Sequence, residues 1–278
     1  MSVAAPHPAT PGTLYLVPTP LDHGCDTPAA LDAALPRHTL ETAARLTHWV
    51  TENAKSTRAF LKRVDALTPL AQPLQALHLA ELPRAAHKQG DHVGHGGSGR
   101  NGGNGRGSGS ARFDARALLA PALAGHDMGL ASEAGMPAVA DPGSSIVRAA
   151  HDAGVPVAPL VGPVSLLLAL AASGLNGQHF AFVGYLPQDA AARAQRIRAL
   201  EALALKTGQT QLFIETPYRN AALLYALVHT LQPGTRLAVS QGLTLAGGHT
   251  RSLRVADWRK LPLETALGRA PAVFALGA

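Results

Sequence analysis

The 278-residue chain is long enough for two domains of ordinary size, and its 46% hydrophobic content is that of a globular protein whose core, with aromatics at only 4%, has to be built from Ala, Leu and Val. A formal charge of +6 and an isoelectric point near 9.9 favour an acidic partner such as nucleic acid, although Ala/Arg-rich chains are also basic for compositional reasons. The single cysteine, Cys25, excludes an internal disulfide and a cysteine-based zinc cluster, and fits a reducing compartment.

The opening MSVAAPHPATPG has neither the basic start nor the apolar core of a signal peptide, so a cytoplasmic location is expected. Thr13–Val17 is β-branched and apolar and predicts a strand, ended by Pro18-Thr19-Pro20. After weak helical character around Ala29–Ala34 come a short helix at Thr39–Arg45, a strand at Thr47–Thr51 and a helix at Ala54–Val64 that carries Lys55, Arg58, Lys62 and Arg63. Leu67–Leu82 reads ambiguously. In residues 89–110, ten of 22 positions are Gly, too little apolar surface to offset ordering entropy, so this stretch is expected to be a disordered insertion. Its Arg100 and Arg106, with Arg112 beyond, resemble flexible basic tracts that touch RNA, although a solvated insertion with no role is the simpler reading. The neighbouring His87, His92 and His95 do not suggest a metal, because a glycine tract cannot preorganise a site.

Order is expected to return with a helix at Arg112–Leu123 capped by Gly125. Two strand–turn–helix units follow. In the first, Met128–Ala131 is the strand and Asp141 and Pro142 are placed as N-cap and first residue of the helix. In the second, the strand Val155–Leu160 leads through Pro163 into the helix Val164–Ala172, apolar nearly all round and therefore expected to be buried. No Asp, Glu, Lys or Arg occurs from Ala153 to Gln188, and Pro156, Pro159 and Pro163 break this run too early for a spanning helix of ~20 residues. Ser173-Gly174-Leu175-Asn176-Gly177 reads as a hinge, giving an N-terminal α/β domain over 12–175 and a C-terminal mixed-sheet α/β domain over 178–278. The second domain should contain strands at Phe180–Tyr185, Thr210–Glu215, Arg236–Gln241, Arg251–Val255 and Ala272–Leu276, with helices at Asp189–Leu203 and Asn220–Leu231.

No G-x-G-x-x-G follows the first strand and no P-loop is present, which argues against a nicotinamide dinucleotide or a nucleoside triphosphate. The rigid Val17-Pro18-Thr19-Pro20 turn can wall a pocket but offers few N–H groups to a phosphate, whereas Gly135, Gly143 and Gly162 permit close backbone approach at other strand ends. Together they favour a ligand with adenosine and amino-acid parts over a pyrophosphate.

Gly12-Thr13-Leu14-Tyr15-Leu16-Val17-Pro18-Thr19-Pro20 resembles the opening of the RsmI family of 16S rRNA ribose methyltransferases, members of the tetrapyrrole methylase-like (class III) S-adenosylmethionine-dependent enzymes. Ser132-Glu133-Ala134-Gly135-Met136-Pro137 with Ala140-Asp141-Pro142-Gly143 is similar to the family's S-D-A-G-x-P…D-P-G loop, and Val161-Gly162-Pro163-Val164-Ser165 to its P-G-P-S-A turn. Phe182-Val183-Gly184-Tyr185-Leu186-Pro187 resembles F-x-G-F-L-P, and Glu215-Thr216-Pro217-Tyr218-Arg219 resembles E-x-P-[HY]-R. The resemblance covers most of the chain in the right order. It implies a two-domain α/β fold with the methyl donor in the cleft between the domains, a homodimer, and RNA of the small ribosomal subunit as partner. By motif match the donor pocket should include Pro18, Glu133, Ala134, Gly135, Gly162, Pro163, Ser165, Tyr185 and Pro217.

Departures from the family pattern fall mostly on the acceptor side. Leu21-Asp22-His23-Gly24 stands where the family has G-N-L-x-D, Glu52-Asn53 opens the segment where it has E-D-T-R, Glu133 replaces the Asp of S-D-A-G, and Ser240–Leu245 lacks the acid and base of R-E-L-T-K. A ribose hydroxyl is a poor nucleophile and needs a base or an oxyanion-stabilising cation. Glu52 and Glu215 are the candidate bases, and Arg58 and Arg219 the candidate cations, because a predicted strand precedes each acid and puts it at a sheet edge. Three readings follow: a ribose methyltransferase of ribosomal RNA, a methyltransferase of a small tetrapyrrole-type molecule, and a donor-binding protein that has lost catalysis.

Overall fold

A computed structural model describes residues 10–22, 25, 28–83, 114–268 and 270–278. The expected disordered insertion at 89–110, its arginines and the three neighbouring histidines lie outside the described residues. The chain divides into two compact units, residues 1–24 with 30–163 and residues 25–29 with 164–278.

The sheet of the first unit has the order β3-β2-β4-β1-β5, every neighbouring pair parallel. Its strands are β1 (Leu14–Leu16), β2 (His48–Thr51), β3 (His78–Glu81), β4 (Met128–Ala131) and β5 (Val157–Pro159). Helices α1 (Arg37–Arg45) and α2 (Ala54–Asp65) supply Leu40, Ala43, Phe60, Leu61 and Val64 to a core around Trp49. Trp49 lies beside Gly129 of β4, where a Cβ would sit 2.5 Å from the indole ring. After the short helix α3 (Ala120–Leu123), helix α4 (Ser144–Asp152) packs Ile146 and Ala150 with Leu14, Val50, Met128 and Leu130 in a second core cluster. Both faces of the parallel sheet are thus covered, as a sheet with buried strands requires.

The sheet of the second unit has the order β6-β7-β10-β8-β9, formed by β6 (Phe180–Tyr185), β7 (Thr210–Glu215), β8 (Arg236–Gln241), β9 (His249–Arg254) and β10 (Ala272–Gly277). Only β6 and β7 are parallel; the other pairs are antiparallel. Helix α5 (Ser165–Ser173) lies on one face through Leu166, Ala169 and Leu170, meeting Leu212, Ala238, Val273 and Ala275. Helices α6 (Ala190–Thr207) and α7 (Asn220–Thr230) and the single turn α8 (Val255–Trp258) cover the other around Phe213, Phe274 and Trp258. Asp189 caps α6 by accepting from the Ala192 N–H at 2.8 Å, and Gly208 ends the helix in the left-handed region at φ +71°.

Several expectations are corrected by this structure. The ambiguous stretch contains the edge strand β3, paired with β2 from His48↔His78 to Thr51↔Glu81. Of the expected helix at Arg112–Leu123, the described part holds a 3-10 turn at Ala117–Leu119 and the single turn α3. Val255 belongs to α8, because Thr235 O takes its N–H and turns the chain off β9. The last residue before α4 is Gly143 at φ +136°, so Asp141 is not its cap. Helix α5 is only half buried: Leu167 and Leu168 are 50% and 38% exposed, because the sheet reaches one side of a helix whose sequence is apolar on both. It packs on β8, β9 and β10, so the compact units part at Pro163/Val164, ahead of the Ser173–Gly177 turn.

Candidate active site

In the first unit the connection leaving β1 runs toward β2 on one side, and that leaving β4 runs toward β5 on the other. The carboxyl ends of β1 and β4 are therefore the point where the winding reverses, the place where open α/β sheets hold ligands. The two turns are tied there: Thr19 and Gly135 exchange N–H···O bonds of 2.9 and 3.0 Å, and Thr19 Oγ1 donates to Ser132 O at 3.3 Å. Gly135 adopts φ +83°, and a Cβ on it would meet Leu21 Cδ2 at 3.0 Å. The turn after β5 closes on the same place. A Cβ on Gly162 would come within 2.3 Å of Pro18 Cγ, so only glycine lets these two turns touch. Val161 is anchored from below by Thr39, whose hydroxyl donates to its carbonyl at 2.8 Å. Of the sequence-predicted donor residues, Pro18, Glu133, Ala134, Gly135, Gly162 and Pro163 are thus collected on three neighbouring turns of one sheet edge.

The end of β2 adds acids. Glu52 follows β2, its N–H donating to Ala131 O at 3.1 Å, and its Oε2 accepts the Glu133 N–H at 3.0 Å. Asn53 does two things at once. Its Oδ1 caps α2 by accepting from the Lys55 and Ser56 N–H groups at 2.9 and 3.3 Å, and its Nδ2 donates to Glu133 Oε1 at 2.8 Å. Asp141 is the residue that sequence reasoning passed over. The loop carrying it is strained, with Ala138 and Ala140 at φ +65° and +64°, a region L-residues with a Cβ rarely occupy. This loop sets Asp141 against Ser132 and near Glu52 and Glu133. Burial pushes its carboxyl up from 3.8 to about 7; the charge of Glu52 and, less strongly, that of Glu133 add to the rise, while the hydrogen bond with Ser132 opposes it. The D-P-G match was the signal, read only as a helix start.

The other predicted residues are carried by other elements. Arg58 sits on the exposed side of α2. In the second unit Tyr185 ends β6, 57% exposed and paired with Ile214, and Pro217 opens the turn after β7. Ser165 begins α5. Glu215 and Arg219 come together, but as a closed pair. Glu215 is buried, and its Oε1 takes Arg219 Nη2 at 2.7 Å, Arg219 Nε at 3.0 Å and the Thr216 N–H at 2.8 Å. Those contacts hold the turn after β7.

Residues 38–257 match the family model of the tetrapyrrole (corrin/porphyrin) methylases. The chain belongs to this family. A protein of Xylella fastidiosa named ribosomal RNA small subunit methyltransferase I is 31% identical over 232 residues, 83% of this chain and 68% of its own length. One of the same name from Mesorhizobium japonicum is 39% identical over 127 residues, 46% of this chain but 42% of its own length, so the matched region is less than half of that relative. Among solved structures, uroporphyrin-III-C-methyltransferase from Thermus thermophilus superposes with a TM-score of 0.51 at 21% identity, covering 96% of this chain and 94% of that one. A second structure of that enzyme, complexed with S-adenyl homocysteine, does so with a TM-score of 0.50 at 17% identity over 96% and 97%. At these identities the likeness shows the fold: the α/β tetrapyrrole methylase architecture expected from the motifs.

Proposed function

We infer that this chain is an S-adenosylmethionine-dependent methyltransferase that acts on a ribose hydroxyl of small-subunit ribosomal RNA. The observation that carries the reading is the sheet edge of the first unit, where glycine and proline turns meet a group of carboxyls at the winding reversal. The donor carries a sulfonium and an α-ammonium group against a single carboxylate, and so has a net positive charge. Carboxyls from Glu52, Glu133 and Asp141 suit such a ligand and would repel a pyrophosphate. The name shared by the curated relatives supports small-subunit ribosomal RNA as the substrate, and the S-adenyl homocysteine complex of the structural neighbour supports the donor.

When bound, S-adenosylmethionine supplies an electrophilic methyl group. The chain has to align a hydroxyl with it and remove that hydroxyl's proton. Pro18, Glu133, Ala134, Gly135, Gly162 and Pro163 wall the donor site with main chain fixed by the Thr19–Gly135 bridge, and alignment of this kind is worth up to ~7–11 kcal/mol. Asp141 and Glu52 form the proton-accepting pair. A carboxyl poised near pH 7 is matched to general-base work at neutral pH, which contributes about 10²–10⁴-fold. Glu215 and Arg219 hold their turn, and Arg58 serves the RNA backbone. The chain works in the cytoplasm as a homodimer, the arrangement its family motifs imply. Among the described residues no helix is long and apolar enough to cross a membrane.

The test is to incubate the protein with labelled S-adenosylmethionine and small subunits purified from a strain lacking the gene. Label in 16S RNA that is resistant to alkaline cleavage at one site is the expected result. Tight donor binding without transfer to any RNA would sink the reading and leave a donor-binding role. Glu52→Gln methylating at the normal rate would remove Glu52 from the proton-accepting pair.

A further inference from the structure

Helix α2 starts at the acidic edge just described, and its solvent side carries a charge pattern the donor site does not use. Lys55, Arg58 and Lys62, at i, i+3 and i+7, all point to solvent along one face. Among the described residues none of the three is in an ion pair. The fourth cation of the helix differs: Arg63 is part-buried and bonded to Asp22 at 2.5 Å, so it faces inward and is spent on the fold. The one acid of the helix, Asp65, lies at its last position and accepts the Leu70 N–H at 3.0 Å. The stripe is therefore of a single sign. Its length is roughly 10 Å at a rise of about 1.5 Å per residue, which matches about three nucleotides of a stacked strand at about 3.4 Å each.

We propose that the Lys55–Arg58–Lys62 face of α2 is a phosphate track for a single-stranded RNA segment, running away from the sheet edge where Glu52 and Glu133 lie. This rests on the RNA reading above and deepens it. The acids fix the direction. Phosphates are repelled from the Glu52–Glu133–Asp141 group and attracted to the helix face next to it, so the backbone lies along α2. The uncharged sugar is the part of the nucleotide that can approach the carboxyls. Asn53 joins the two regions, because it caps the helix that bears the stripe and also bonds Glu133. Charge complementarity selects the occupant: three cations along one face of a rigid helix suit a polyanion.

The experiment measures binding of a fluorescent 20-nucleotide single-stranded RNA by the full chain across a salt series. The triple variant Lys55→Gln/Arg58→Gln/Lys62→Gln is compared with a charge-matched control on α6, Arg196→Gln/Arg198→Gln/Lys206→Gln, whose residues are also exposed. Three lost phosphate contacts should flatten the slope of log K against log salt by about 2, at ~0.7 per contact on a single strand, with Kd rising ~10-fold or more at low salt. Lys62→Gln alone, far from the carboxyls, should remove about 0.7 of slope. The control should stay within about 0.7 of wild type. An α2 variant indistinguishable from the control overturns the track. So does equal, α2-dependent binding to vesicles containing phosphatidylserine with no binding to RNA, which would make the occupant a membrane. Labelled-donor transfer, run in parallel, separates this failure from that of the reading beneath it. A wild type that methylates 16S RNA while the α2 variant keeps wild-type binding overturns the track alone, whereas a wild type that neither binds nor methylates RNA overturns both.

Discussion

The two units use charge in opposite ways. In the second, two buried carboxylates are held by their own neighbours. Glu201, 3% exposed, accepts from the Gln232 N–H at 2.8 Å and the Thr235 hydroxyl at 2.5 Å, and Glu215 accepts from Arg219 and Thr216 through Oε1. In the first, three carboxyls of like sign are gathered at one sheet edge, one of them in a loop with two strained alanines. Removing a charge should therefore weaken the second unit and relieve the first. Like-charged carboxyls gathered at one sheet edge are the pattern expected of a reaction site.

Asp141→Asn is the strongest way to break this contrast. It should cut methyl transfer by about 10²–10⁴-fold, and remove a rise of rate with pH centred near 7, measured by single-turnover label transfer to small subunits. Glu201→Ala should do the reverse in the second unit, lowering unfolding free energy by ~1–3 kcal/mol in urea melts, because it strands the donors of Gln232 and Thr235. Gly162→Ala drives a Cβ into the Pro18 ring and should cost about 1–3 kcal/mol by overpacking, with donor affinity falling in parallel by calorimetry. The smallest effect sharpens the contrast most. Between about pH 4 and pH 7 the folded chain holds a proton on Asp141 that the unfolded chain has released, so this residue's share of stability falls as pH rises through that window. Asp141→Asn should consequently melt higher than wild type at pH 8, on the order of 2–4 °C, and lose that advantage at pH 4. Glu215→Gln should show no such gain at any pH.

Much of this was legible in the sequence, for physical reasons that can be named. Short apolar runs bounded by Gly and Pro gave β1, β4, β7, β8 and β10, and Gly162, whose Cβ would strike Pro18, was visible as a motif position. What escaped depends on the tertiary neighbour. β3 is an edge strand with polar ends, HLAE, and shows no clean alternation. Helix α5 is apolar on both sides, so its composition could not reveal that the sheet meets only one of them. Asp141 has the local grammar of an N-cap, and its raised carboxyl is set by burial, then by Glu52 some ninety positions earlier in the chain, in a loop geometry that alanines would not announce.

The bond from Asn53 Nδ2 to Glu133 Oε1 bears on two of the departures from the family pattern. Where the related motifs carry acids at both places, this chain has an amide at 53 and a longer acid at 133. An Asp at 53 would keep the helix cap but turn its free oxygen against Glu133, adding a fourth carboxylate to the edge. The amide answers the longer acid with a donor. The two positions are coupled through this bond, and Asn53→Asp alone should cost more stability than Asn53→Asp with Glu133→Gln, which restores a donor opposite the acid.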